Sequence, residues 1–266
     1  MATPTSKKTE IPSPASVRYF MRLAYRGENF HGWQRQPGAV SVQEVLEEAL
    51  ARVFRLPALP VTGAGRTDAG VNASCMIAHF DLPENRVIDL ASEPRLLHSL
   101  NCMLAPDIVV YGFRRVRPDA HARFDAVSRT YHYHVHTRRT PFPRELSWLA
   151  PPGLDFEAMN RAAGILTEIS DFTSFSKLHT DTKTNICRVT HARWQQTGPY
   201  TWVFEITADR FLRNMVRAVV GTLVDVGRGK LTLSQFRDII DRKDRCAAGT
   251  SMPGGPLFLH DIKYPY

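Results

Sequence analysis

The stretch Ile186 to Ala208, ICRVTHARWQQTGPYTWVFEITA, decides the fold. Its two arms, Ile186 to Gln196 and Tyr200 to Ala208, are rich in β-branched and aromatic residues. They meet across Gly198-Pro199, which predicts a β-hairpin. Upstream, Arg129 to Thr137 predicts a strand, and Asp155 caps a helix with Phe156, Met159, Ala163 and Leu166 on its apolar face. Downstream, Leu212 to Val226 predicts a helix that buries Leu212, Met215, Val216, Val219, Val220 and Leu223. Thr232-x-x-Gln235 opens one more helix, and Leu257 to Tyr264 closes the chain as a strand.

The first half carries the same order of elements. A strand is expected over Val17 to Tyr25. The capping box Ser41-Val42-Gln43-Glu44 opens a helix with Val42, Val45, Leu46, Ala49, Leu50 and Val53 along one side. A short strand at Pro60 to Gly63 and a longer one at Cys75 to Leu82 follow, then a helix at Pro94 to Leu104 and a strand at Ile108 to Val116. Each half is therefore a β-α-β-β-α-β unit of the ferredoxin-like kind, the second with an added helix. The predicted class is α/β, more narrowly α+β, with halves at 17–117 and 118–266 and sheets joined around a central cleft. Clefts at such junctions are common ligand sites.

The first sixteen residues lack the apolar core of a secretory signal and have the Pro, Ser, Thr and Lys content of a disordered tail. Hydrophobic content is 43% without a long apolar run, so a soluble protein with no membrane span is expected. Cys75, Cys102, Cys187 and Cys246 are widely separated and form no CxxC pair, which disfavours common zinc motifs and a disulfide framework; a cytoplasmic protein with reduced thiols is the simplest expectation. The net charge of +8 favours a polyanionic partner. Between Arg114 and Arg144 eight arginines stand against Asp119 and Asp125, with no lysine, and guanidinium suits phosphate contacts and base stacking.

The octapeptide Gly63-Ala64-Gly65-Arg66-Thr67-Asp68-Ala69-Gly70 is the chemical centre of the sequence. It fits neither a dinucleotide fingerprint, which needs glycine at Asp68, nor a phosphate loop, which needs Lys-Ser/Thr at Val71-Asn72. It presents one acid two residues from one base. A carboxylate near a guanidinium is favoured in its ionised form and can take a proton, hold a metal or attack carbon. The other reading is an Asx-type turn in which Asp68 only bonds nearby backbone amides.

Alternation on the strand from Arg129 sets Tyr131 and Tyr133 on one face and His132, His134 and His136 on the other. Three imidazoles along a flat strand seldom converge on one ion, so no metal site is expected. Tyr131 suits either stacking on an unstacked base or a half-buried core position. Arg210, Arg213 and Arg217 follow spacings of three and four, which would place them on one side of the Leu212 helix.

Taken together these residues resemble the tRNA pseudouridine synthase A family. Gly65 to Val71 is similar to its signature loop. Gly32-Trp33-Gln34-Arg35-Gln36-Pro37, Ser41 to Glu44, Asp119-Ala120-His121-Ala122-Arg123-Phe124, Asp171 to Phe175, Phe211 to Arg217 and Gly254 to Leu257 also fit in order, from about Val17 to Tyr264. The resemblance implies that Asp68 is the catalytic nucleophile, that Arg217 pairs with it, that Arg66 displaces the target base and that Tyr131 packs on that base. It implies RNA contacts from Asp119, Ala120, His121, Ala122 and Arg123, and from Arg213. Ser176, Lys177, Leu178, His179 and Thr180 are further candidates. It also implies a homodimer without cofactor or metal, acting on uridines at positions 38, 39 and 40 of the tRNA anticodon stem-loop. One departure stands out: Asn72 occupies the place of the family's usual histidine. A non-catalytic RNA-binding protein would leave the Arg66/Asp68 loop without a purpose, and a glycoside hydrolase would want a second carboxylate.

Overall fold

The computed structural model describes residues 16–86, 94–141, 146–177 and 183–266. The proposed tail, Arg144 and the segment Leu178 to Thr180 thus lie outside the described residues, Ser16 excepted. The first half contributes β1 (Ser16–Tyr25), α1 (Val42–Phe54), β2 (Thr62–Gly63), β3 (Asn72–Pro83), α2 (Pro94–Met103) and β4 (Ile108–Arg115). The second contributes β5 (Ser128–His136), β6 (Trp148–Leu149), α3 (Phe156–Ile165), β7 (Val189–Gly198), β8 (Thr201–Ala208), α4 (Met215–Gly227), α5 (Leu233–Arg242) and β9 (Leu257–Lys263).

Local chemistry accounts for several helix starts. Ser41 Oγ accepts the Glu44 N–H at 3.3 Å, and Asp155 Oδ1 accepts the Ala158 N–H at 2.8 Å. Thr232 and Gln235 form a reciprocal capping box ahead of α5. Helix α4 is different, because it is buried almost all round and starts at Met215 rather than Leu212. Asn214 before it has φ 65°, a left-handed conformation that breaks the helical run. Arg210 and Arg213 therefore precede the helix, and the expectation that they share its face with Arg217 is corrected.

The strands form one continuous sheet in the order β4-β1-β3-β9-β5-β8-β7, with β2 beside β3 and β6 beside β5. Outward from the last strand of each half, the orders are β4-β1-β3-β2 and β9-β5-β8-β7, the same arrangement twice. The first copy's β2 is only two residues long and pairs with His79 and Ala78 of β3. That leaves the start of β3 open, and β9 pairs there in parallel, Asn72 with Phe258 and Ala73 with Leu259. The shortening of β2 thus lets the two sheets join.

Two main cores lie behind this sheet. They interlock at the junction: Val71 is buried among the second half's residues, while Leu259 and Ile262 are buried among the first half's. Tyr131 packs against both. Among the described residues no helix is long and apolar enough to cross a membrane.

Candidate active site between the two halves

Asp68 lies in the connection between β2 and β3, and the surrounding chain pins this loop at many points. Ala64 N–H donates to Ile77 O at 2.8 Å, and the Tyr25 hydroxyl bonds Thr67 Oγ1 at 2.8 Å. Gly70 N–H donates to Phe30 O at 3.3 Å, and Val71 N–H to Asp68 O at 3.1 Å. Gly70 takes φ 75°, a conformation that glycine adopts at little cost. The turn is thus closed by the backbone carbonyl of Asp68, which leaves its carboxylate facing other groups.

Those groups are arginines from the second half. Arg217 Nη1 lies 3.5 Å from Asp68 Oδ2, and Arg213 Nε lies 3.8 Å from Oδ1. Both separations exceed the ~2.7–2.9 Å of a charge-assisted hydrogen bond. Two positive charges therefore attract the carboxylate, yet neither closes over it. Asp68 and Arg217 are each 23% exposed at the side chain, whereas Arg213 is 60% exposed. Arg217 is anchored from behind, since its Nε donates to Met252 O at 2.5 Å and its carbonyl accepts the Met252 N–H at 3.1 Å.

Tyr131 stands beside the acid, its ring edge-on to Phe211 at 4.9 Å. Burial first, and the negative charge of Asp68 second, push its hydroxyl well above the usual tyrosine range. The phenol therefore stays protonated near neutral pH. Arg66 is exposed. Arg123 feels the positive charges of Arg66 and Arg210, which together with burial, the larger effect, lower its pKa. Like charges gathered at a rim attract a polyanion.

The Asp119 to Arg123 segment divides by burial. Ala120 and Ala122 are fully buried against Phe20, so the expectation that they touch RNA is corrected: they anchor the turn. Ala120 O accepts from Arg18, itself paired with Asp81 at 2.7 Å, and Ala122 N–H donates to His79 Nδ1 at 3.1 Å. What the turn presents outward is Asp119, Arg123 and Phe124, with His121 Nδ1 accepting the Arg123 N–H at 3.1 Å. Ser176 is likewise buried, its hydroxyl turned to the Lys177 carbonyl at 3.4 Å. Lys177 is exposed, and its N–H donates to Arg213 O at 3.1 Å, beside the acid.

On the same strand as Tyr131, His132 stacks on His260 at 3.7 Å and meets Glu205 at 2.9 Å. Glu205, opposite on β8, is a carboxylate that strand spacing alone did not reveal. Among the described residues no group of three or more His, Cys, Asp or Glu side chains is arranged to hold a metal ion.

A model of the tRNA pseudouridine synthase family matches residues 169–265. Over 248 residues the chain is 58% identical to tRNA pseudouridine synthase A of Parabacteroides distasonis, covering 93% of this chain and 96% of that one. The chain belongs to the tRNA pseudouridine synthase A family. The Bacteroides fragilis member is 56% identical over 248 residues, with the same shares covered. The Bacillus subtilis member is 36% identical over 251 residues, covering 93% of this chain and 99% of its own. The family's expected architecture, two ferredoxin-like halves with joined sheets, agrees with the strand order above.

Sequence reasoning about this family member missed the role of Arg129 and left that of Asn72 open. Arg129, at the start of β5, donates to the carbonyls of Ala126, Asp209, Ala64 and Arg123, tying the Asp68 loop to the Arg123 turn. Asn72 joins both halves behind Asp68. Arg129 has no sequence signal beyond an arginine at a strand start, whereas Asn72 was marked by its departure from the family's usual histidine.

Proposed function

We propose that the protein isomerises uridine to pseudouridine in tRNA, at positions 38, 39 and 40 of the anticodon stem-loop, as a cytoplasmic homodimer. Family membership supports the reaction class. The observation that carries the residue assignment is the Asp68 carboxylate set between Arg217 and Arg213 beneath a rim of arginines.

In this reading the rim arginines hold the phosphate backbone, and Arg66 fills the space of the displaced nucleotide. Unstacking a base costs a few kcal/mol, offset by phosphate contacts and by packing of the uracil on Tyr131. Asp68 then acts on the ribose, either attacking C1′ or removing a C2′ proton to give a glycal. Arg217 orients the carboxylate in both routes. Cleavage of the N1–C1′ bond frees the uracil, which turns. C5 bonds to C1′ as the bond from Asp68 breaks or as Asp68 returns the C2′ proton, and C5 then loses its proton to a base while N1 gains one. A half-buried Tyr131 whose phenol stays protonated is a poor base, which favours Asp68 for that step. No electron transfer or energy input is needed.

The test is to incubate purified protein with unmodified tRNA transcripts and map pseudouridine, alongside transcripts carrying cytidine at 38 to 40. Product confined to those three positions supports the assignment. Product elsewhere, with none in the anticodon arm, would overturn the substrate proposal.

A further inference from the structure

Asn72 is a buried side chain, 1% exposed, at the first residue of β3 and four residues beyond Asp68. Its amide is used at both ends. Oδ1 accepts the Gly27 N–H at 2.7 Å, from the loop after β1. Nδ2 donates to the Gly255 carbonyl at 2.5 Å, from the loop before β9. One end therefore holds the first half and the other the second. The main chain at the same residue pairs with Phe258, where the sheet joining the halves is only two residue pairs deep.

The loop held by Nδ2 is the one that anchors Arg217. Met252 accepts from Arg217 Nε and donates its N–H to the Arg217 carbonyl, and Gly255 lies three residues on. Between them Gly254 packs so closely on the Asp68 loop that an added Cβ would lie 2.7 Å from the Ala69 carbonyl oxygen. The contacts close into a ring: Asp68 to Arg217, Arg217 to Met252, along the chain to Gly255, across to Asn72, and back along the chain to Asp68. Four links of the ring are covalent chain or short hydrogen bonds. The fifth, at 3.5 Å, is the open acid–base pair that faces the cleft.

We propose that Asn72 is a positioning residue that sets the separation of Asp68 and Arg217 by closing this ring. The inference rests on the functional reading above and concerns how its acid is held. The chemical requirement at position 72 is one acceptor and one donor on a short, flat group. An amide meets it, and so does a neutral imidazole, whose two nitrogens take opposite roles. A carboxylate does not, because it keeps the acceptor toward Gly27 and sets a second acceptor against the Gly255 carbonyl.

Asn72→Asp and Asn72→His separate the possibilities, assayed as pseudouridine formation on tRNA transcripts beside the wild type. The inference predicts that Asn72→Asp lowers kcat on the order of 10²-fold, as expected for loss of catalytic alignment. KM for tRNA and the folded fraction should stay near wild type. Asn72→His should restore most of kcat at pH 8, where the ring is neutral. Wild-type kcat in Asn72→Asp would overturn the inference. So would a loss of kcat that only follows the folded fraction, or one that Asn72→His fails to rescue at pH 8. A wild type that makes no pseudouridine would instead overturn the functional reading, so the two failures are distinct.

Discussion

Arg217 Nη1 lies 3.5 Å from Asp68 Oδ2, and the two residues come from different halves of the chain. Neither half alone contains the pair, so its geometry depends on the junction of the two sheets. Replacing Arg217 with alanine removes the better-buried of the two cations on the acid. We expect kcat to fall on the order of 10²-fold or more, in the range seen when an aligning electrostatic group is lost. Arg213→Ala should act more on tRNA affinity, since that side chain is largely exposed. Steady-state kinetics on both variants checks the ordering, and equal effects would contradict it.

Tyr131 is assigned as a packing surface and not as a base, because burial and Asp68 keep its phenol protonated. Tyr131→Phe should therefore keep activity within about tenfold of wild type, while Tyr131→Leu, which removes the flat ring, should lose substantially more. A phenylalanine variant as inactive as the leucine variant would return the hydroxyl to the chemistry.

Acid should destabilise the fold through the buried His79 and the half-buried His134. Burial, aided by Arg18 and His121, lowers His79 to about 3, and burial with His132 and His260 lowers His134 to about 4. Both stay neutral when folded, whereas the unfolded chain protonates near ~6.5. Below that pH the unfolded state binds more protons, so stability present above pH ~6.5 is lost as pH falls toward the folded values. The slope is at most about 1.4 kcal/mol per pH unit for each histidine. Urea unfolding at pH 7 and pH 5 measures it, and His134→Phe should flatten the difference.

The capping box at α5 offers a test away from the site. Thr232→Ala removes the oxygen that accepts the Gln235 N–H at 3.2 Å and should cost about 1 kcal/mol in stability without changing kcat. A change in turnover would link α5 to the active site in a way that the contacts do not explain.

Much of the architecture was legible because local chemistry announces it: Ser41, Asp155 and Thr232 cap where side-chain oxygens meet free amides. Alternation marked β5, and two strand-forming arms across Gly198-Pro199 marked β7 and β8. Element order then implied two similar units. What escaped was decided by tertiary contact. Asn214 takes a left-handed conformation that a run of apolar periodicity conceals, so the start of α4 shifts to Met215 and moves Arg213 onto the acid. Ala120, Ala122 and Ser176 sit in polar, motif-like segments yet are buried, because each turn must anchor itself to present its neighbours. Asp68 was legible as a loop acid, but its partners in the second half became definite only through the β3–β9 junction.

The most direct test of the account is Asp68→Asn, an almost isosteric change that removes the charge. Purified variant and wild type would be compared for pseudouridine formed in tRNA transcripts and for tRNA affinity. The account predicts no detectable product from the variant, with affinity within a few-fold of wild type. Product at a rate near wild type would contradict the assignment of Asp68 as the residue that carries the chemistry.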